Sequence, residues 1–464
     1  MNALDRCAPE WFQVIDAWFR VSNPTLDDAV PSAWALLMQQ ANQSAENGDV
    51  EEALRVFQEA MAYPGISQEI VALTAFGIAV VLINNNQLTN ALAYAEQCAA
   101  LLPGRVECTV LLAYVLVRQR NWSRAIPALE RAAKLGNGLA SAFLALLYTI
   151  CERYAEAEVS AKRALALGID FGAELTALSL WCARMEQGKS WEESCFFEPD
   201  EPGDMEQVYP RLPQCVSVYE SPNFRSAKLV VYTLSDAKYF NEYTVATLVS
   251  VAQTSTQSAI HVHVVNPDAG LGRCLQALTV RYPGLPIKVT AEFGDLPPQF
   301  VAVYCSNIRF IRCQHAMQGD ERPYVLVDGD SVFNRDSMTL LGDVANFDLG
   351  LIMHEHEPAW ARCSAACVIV APTAAGRQFF TRVAWFIWQH LERKRCRWFV
   401  DQIALYWTMR SSNDQLRIAH LDQARYCNTN GSDEAILWTF PMNKNDNDHP
   451  ITLRVEALKA SLYS

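Results

Sequence analysis

The stretch Tyr324-Val325-Leu326-Val327-Asp328-Gly329-Asp330-Ser331 is a short apolar run that stops at two aspartates one residue apart. The run reads as a buried strand. Two carboxylates leaving its end form a site for a hard divalent cation, and such a cation can hold a diphosphate. Spacing alone is a weak signal, because Asp-x-Asp is expected about once by chance in a chain of this size. A second copy, Asp446-Asn447-Asp448, follows the polar run Asn443-Lys444-Asn445 with no strand before it and reads as a solvated loop. Strand context is what separates the two.

That context extends in both directions. From Lys228 onward, β-branched runs alternate with amphipathic stretches: strands are expected at 229–233, 260–265, 287–291, 324–327, 349–353 and 367–370. Helices are expected at 243–253, 271–281 and 306–317. Alternation of this kind specifies an α/β sheet, mostly parallel. Ligands of such sheets sit beyond the carboxyl ends of the strands, where Asp328 and Asp330 fall.

The stretch from about 228 to 440 resembles nucleotide-sugar glycosyltransferases of the GT-A fold, and within them the retaining, glycogenin-like relatives. Four segments carry the resemblance, in the family order. The opening strand Lys228–Thr233 runs into Leu234-Ser235-Asp236-Ala237-Lys238-Tyr239, in such enzymes the loop that holds nucleoside. This implies donor contacts from Thr233, Ser235, Asp236 and Tyr239, with Tyr239 stacking on uracil. Asp236 reads equally as a helix N-cap. Next, Tyr304–Arg312 matches an arginine-bearing helix, with Arg309 at the family position and Arg312 read as a solvated helix residue. Asp328-Gly329-Asp330 matches the pair that binds Mn2+ or Mg2+, with Gly329 allowing close backbone approach. Finally, Trp398–Tyr406 matches the helix whose Asp401 and Gln402 face the sugar; a capping role is the plainer reading of Asp401.

The family's late metal-ligating histidine has no counterpart in 437–444, although Lys444 is expected to reach the phosphates. His354 and His356 are other candidate metal ligands, although a loop pair lining an acceptor pocket is the plainer reading. Trp360, Trp385, Trp388 and Trp398 read as core or as an acceptor platform. The resemblance thus implies a UDP-sugar donor, a divalent metal and transfer of a hexose with retention. Val325–Val332 also resembles the first motif of haloacid-dehalogenase-type phosphatases, with Val368–Thr373 as a second. In those enzymes the first aspartate is the nucleophile and the motif opens the domain, whereas here about a hundred residues of α/β pattern precede it. A repeat scaffold with a degenerate transferase domain is the third reading.

The first third carries an internal repeat. Ala53, Ala91, Ala125 and Ala157 follow at intervals of 38, 34 and 32 residues. Twelve residues before each stands Ala41, Ala79, Ala113 or Ala145, and seven after each stands Ala60, Cys98, Ala132 or Ala164. Small residues at these offsets let antiparallel helices pack closely, and stacked hairpins build a core that one hairpin cannot. The pattern resembles tetratricopeptide repeats, with Gly48 at the inter-helix turn, Phe57 on the second helix, Pro103 closing the second repeat and a longer first connection. A capping helix is expected over 171–185. The array is either a scaffold or a surface for a protein acceptor.

These readings predict a multidomain chain: an all-α tetratricopeptide-like solenoid at 1–190, a linker at 191–227 rich in Pro, Gly and acidic residues, and an α/β GT-A-like mixed sheet at 228–464. At 464 residues the length suits several domains, and 51% hydrophobic residues suits packed cores. A net charge of -13 excludes non-specific nucleic-acid binding. No secretory signal or membrane span is visible, and the fourteen cysteines include no Cys-x-x-Cys pair. Cys363 and Cys367 sit among apolar residues. A cytoplasmic location with reduced cysteines is the expectation.

Overall fold

The small residues at the three repeat positions, from Ala41 to Ala164, all have 0% exposure in the computed structural model. The structure describes residues 32–169, 173–191, 196, 198–200, 202–255, 257–355, 357–412, 416–440 and 448–464, without the side chains of 343 and 344. Two compact units result, Met1–Cys195 and Phe196–Ser464.

In the first unit the helices pair as α1 (Ser32–Glu46) with α2 (Val50–Met61), α3 (Gln68–Asn84) with α4 (Leu88–Leu101), α5 (Val106–Arg118) with α6 (Trp122–Lys134), and α7 (Gly138–Ile150) with α8 (Tyr154–Ala166). The long first interval is taken up by the connection 62–67 and by the longer α3. α9 (Ala173–Glu186) buries Leu175, Leu178 and Trp181 as the expected cap does, while residues 171 and 172 lie outside the described residues.

Each hairpin turns the same way. The residue five positions before the central alanine has positive φ every time: Gly48 (80°), Asn86 (57°), Arg120 (56°) and Glu152 (58°). A left-handed residue at this point ends the first helix and lets the next amide reach back, as Asn121 N does to Leu116 O at 2.8 Å. Only the first hairpin uses glycine for it. Gly48→Ala is therefore expected to cost about 1 kcal/mol and Arg120→Gly to stabilise by a similar amount. Thermal unfolding of the full chain checks both, and equal effects of the same sign would contradict the shared turn.

In the second unit an eight-stranded mixed sheet has the order β1-β4-β3-β2-β5-β8-β7-β9. The strands are β1 (Val216–Glu220), β2 (Leu229–Asp236), β3 (Ser258–Val265), β4 (Ile287–Glu292), β5 (Tyr324–Val327), β7 (Leu349–Met353), β8 (Cys363–Val370) and β9 (Ile418–Leu421). A short ribbon pairs β6 (Val332–Phe333) with β10 (Leu437–Trp438). β4, β3, β2 and β5 run parallel, whereas β8 is antiparallel to β5 and β7, so the direction changes directly beside the aspartates. α10 (Val245–Thr254) and α11 (Ala269–Arg281) cover one face, where Leu248, Val249 and Leu278 join Val231, Val262 and Val325 in the core. On the other face α12 (Pro298–Ala316) meets α14 (Ala374–Glu392) through Phe310 and Phe380, stacked at 5.7 Å. α13 (Thr339–Val344) precedes β7, α15 (Val400–Ser411) follows α14, and α16 (Pro450–Tyr463) follows β10.

The architecture is the one expected: a tetratricopeptide-like solenoid, then a GT-A-like α/β mixed sheet. Two details differ. The expected linker 191–227 contains β1, which pairs antiparallel with β4 through a register shift between Ser217 and Tyr219. An edge strand exposed on one side lacks the continuous apolar run that marks an interior strand. The expected nucleoside loop at 234–239 is instead the end of β2 followed by a helical turn, Ala237–Tyr239, that passes through a π-helical turn into α10. Among the described residues, the cysteines are free thiols and no helix is long and apolar enough to cross a membrane.

Candidate functional site

β2 and β5 are parallel neighbours, with Tyr232 opposite Leu326, so their carboxyl ends emerge together. The chain then turns tightly: Ser331 N donates to Asp328 O at 3.1 Å. Gly329 O accepts from the hydroxyls of Thr244 at 2.9 Å and Thr247 at 3.1 Å, one turn apart at the start of α10. A Cβ on Gly329 would lie 3.0 Å from Thr244 Oγ1 and 3.3 Å from both Leu234 O and the Tyr239 ring. Space, rather than backbone conformation, makes glycine the residue between the aspartates.

The two carboxylates part company. Asp330 is 4% exposed and its Oδ2 accepts from Tyr239 Oη at 2.7 Å. Burial, then the charge of Asp330, push the Tyr239 phenol far above its usual pKa, so this hydroxyl remains a donor. The Asp328 side chain is 33% exposed and ion-paired with Arg309. Arg309 is itself buried: Nη2 donates to Asp401 Oδ2 at 3.3 Å and to Ala365 O at 3.1 Å, and Nε donates to Ser306 O at 3.0 Å. One guanidinium therefore ties β5 to α15. Burial raises the pKa of Asp401, with Arg309 pulling the other way. With every carboxyl ionised, three aspartates and one arginine carry a net charge of -2 (three negative, one positive), which favours a divalent cation.

Asp401 is not the helix cap. That place belongs to Phe399, at φ 69° in the left-handed region, while Asp401 Oδ1 accepts from Gln402 N at 2.9 Å. Gln402 is part-buried in the same turn. Asp236 does cap a helix, accepting from Tyr239 N at 2.7 Å. Thr233 and Ser235 lie in the interior at 0% and 2% exposure, and Ser235 Oγ lies 3.1 Å from Thr244 Oγ1, to which it donates because the Thr244 proton goes to Gly329 O, so both sit beneath the site. Lys444 and His356 lie outside the described residues, and His354 is part-buried at the end of β7. Of the four tryptophans, Trp360 and Trp388 are buried, Trp385 donates to Asp200 O at 3.2 Å, and Trp398 is 47% exposed.

Arg312 corrects the sequence reading. It is 3% exposed, not solvated, and its Nε donates to Glu292 Oε2 at 2.7 Å, with His263 Nε2 3.3 Å from the same oxygen. Tyr304 also donates to Glu292, at 2.7 Å. Burial pushes the Glu292 pKa up, but His263 and Arg312 bring it below its usual value, while burial keeps the His263 imidazole neutral. Thr244 and Thr247, absent from the sequence reading, were detectable only as hydroxyls one helical turn apart. A cavity of about 350 Å³ lined by Gln314, Asp320, Arg377 and Thr381 lies at the amino end of β5, away from this site.

Removing the Tyr239 hydroxyl deletes the hydrogen bond that orients Asp330 Oδ2. Tyr239→Phe is expected to weaken Mn2+ binding in the presence of UDP about tenfold, the usual size of an outer-shell loss. An unchanged Mn2+ affinity in calorimetry would remove Tyr239 from this role.

No family model matches the chain, and no curated protein matches it. Among solved structures, 34% of the chain is similar to 87% of a MamA double mutant (20% identity, TM-score 0.29). The same share is similar to 88% of MamA from Desulfovibrio magneticus RS-1 (20% identity, TM-score 0.29). In another comparison, 51% of the chain is similar to 96% of an active-site mutant of LgtC (14% identity, TM-score 0.36).

Proposed function

We propose that the C-terminal unit is a glycosyltransferase that moves a hexose from a UDP-sugar to an acceptor. The observation that carries this reading is the single Arg309 guanidinium joined to both Asp328 and Asp401 at the carboxyl end of β5, beside Asp330 held by Tyr239. Among the described residues no three His, Cys, Asp or Glu side chains gather as a ligand set. Asp328 and Asp330 nevertheless fit Mg2+ or Mn2+, because such ions take one or two carboxylates and complete their shell with phosphate oxygens and water. When bound there, the ion supplies neutralising charge to the departing diphosphate.

The chain's own groups do the positioning. Tyr239 fixes one carboxylate by hydrogen bonding, and Arg309 fixes the other while holding Asp401 at the head of α15. Asp401 and Gln402 then present a carboxyl and an amide from the first turn of that helix to the sugar hydroxyls. Asp236 closes the nucleoside end of β2. Retention of configuration follows from the resemblance to glycogenin-like enzymes, and the repeats offer a surface to a protein partner. The phosphatase reading needs Asp328 as a free nucleophile, whereas Arg309 engages it and β5 is flanked by an antiparallel strand.

Calorimetric titration of UDP-sugars with and without Mn2+ tests this reading. Wild type should bind one donor in a metal-dependent manner, and Asp328→Asn/Asp330→Asn should lose it. No binding by any donor, with hydrolysis of a phosphate ester instead, would favour the phosphatase.

A further inference from the structure

The segment Glu392-Arg393-Lys394-Arg395-Cys396-Arg397-Trp398 concentrates four cations in a chain of net charge -13. Its backbone is anchored at both ends. α14 ends with Lys394 at φ 56°, and Arg395 N reaches back to His390 O at 2.8 Å. Asn307 Nδ2 on α12 donates to Arg397 O at 3.3 Å, and Cys396 is buried. Phe399, in its left-handed conformation, then leads into α15.

The topology places this turn at the site. β8 runs antiparallel to β5, so α14, which follows β8, returns to the end of the sheet where Asp328 lies. Trp398 is three residues before Asp401, and Asn307 is two before Arg309. Acidic groups also face the turn: Asp200 pairs with Arg393 at 2.9 Å, and Glu392, within the segment, pairs with Arg211. Lys394, Arg395 and Arg397 are exposed, as is nearly half of the Trp398 side chain.

Clustered cations repel one another and raise the local concentration of anions. Arginine forks match carboxylate and phosphate, and an indole face packs against the apolar face of a ring. We propose that Lys394, Arg395, Arg397 and Trp398 form the acceptor subsite, and that the acceptor is a glycan bearing an anionic substituent, phosphate or carboxylate. This rests on the transferase reading above. A polynucleotide is the poorer occupant, because three cations in one turn face an otherwise acidic chain that repels a long polyanion.

The full chain, with UDP and Mn2+ present, is titrated with maltotriose, phosphorylated maltotriose and trigalacturonate at low salt. At least one anionic trisaccharide should bind about tenfold more tightly than maltotriose, and which one does so separates phosphate from carboxylate. Lys394→Glu/Arg395→Glu/Arg397→Glu should erase that preference while keeping the UDP affinity of wild type. Arg397→Gln alone, a milder surface change, should lose about threefold. Trp398→Ala should weaken all three trisaccharides alike. Equal binding of neutral and anionic trisaccharides, an unaltered preference in the triple variant, or tighter binding of decathymidylate through the same residues would overturn the proposal. Failure of wild type to bind UDP would instead overturn the transferase reading, and the anion preference would still be read separately.

Discussion

Arg309→Ala is expected to lower sugar transfer by about 10²–10³-fold, the cost of removing one preorganised charge from a low-dielectric site. The same change should destabilise the C-terminal unit by about 3–5 kcal/mol, because Asp401 is left buried without its partner. Arg309→Lys restores the charge but not the fork that reaches Asp328 and Asp401 together, so it should recover stability only in part and activity hardly at all. Asp401 separates the electrostatic effect from simple packing. Burial raises its folded pKa above the ordinary 3.8, so its contribution to stability is fully present below 3.8 and is lost as pH rises through the folded pKa. Asp401→Asn should therefore gain stability relative to wild type as pH rises from 3.8 through the folded pKa, and no further above it. A difference that stays constant across that range would show that Asp401 does not titrate as a buried carboxyl.

The second large effect lies in the buried network behind the site. Glu292 is 0% exposed and Arg312 3%, so removing either side chain leaves an uncompensated interior charge. Arg312→Ala or Glu292→Ala should each cost about 3–5 kcal/mol and lower the melting midpoint of this unit by about 10 °C. Replacing both, as Glu292→Leu with Arg312→Met, should return much of the loss, since two apolar residues need no ionic partner. Calorimetry of the three variants decides the matter: a double variant as unstable as the sum of the singles would mean that the pair contributes by shape rather than charge. The folded pKa of Glu292 lies below 4.5, so its share of stability is present above 4.5 and is lost as pH falls through the folded value.

Much of this was legible in the order of residues, because some constraints are local. The alanines of the repeat recur at fixed offsets since each helix must let its neighbour approach, and all of them prove buried. The six strands expected from 229 to 370 are present as β2, β3, β4, β5, β7 and β8, because an interior strand needs an unbroken apolar run. β1, β6, β9 and β10 escaped notice: β1 and β9 are edge strands and partly polar, and the two-residue strands β6 and β10 have no period to detect.

Local patterns along the chain are enough for the architecture, the strand that ends in Asp328-Gly329-Asp330, and the residue types able to meet there. The partnerships come from the way the chain packs. Arg309 reaches across 19 residues to Asp328 and 92 to Asp401, Tyr239 reaches across 91 to Asp330, and Arg312 turns inward to Glu292 instead of outward to water. Backbone propensity and hydrophobic period act over a few residues. The choice of partner for a buried charge depends on which elements the sheet order brings side by side, and on the cost of leaving that charge alone in a low dielectric.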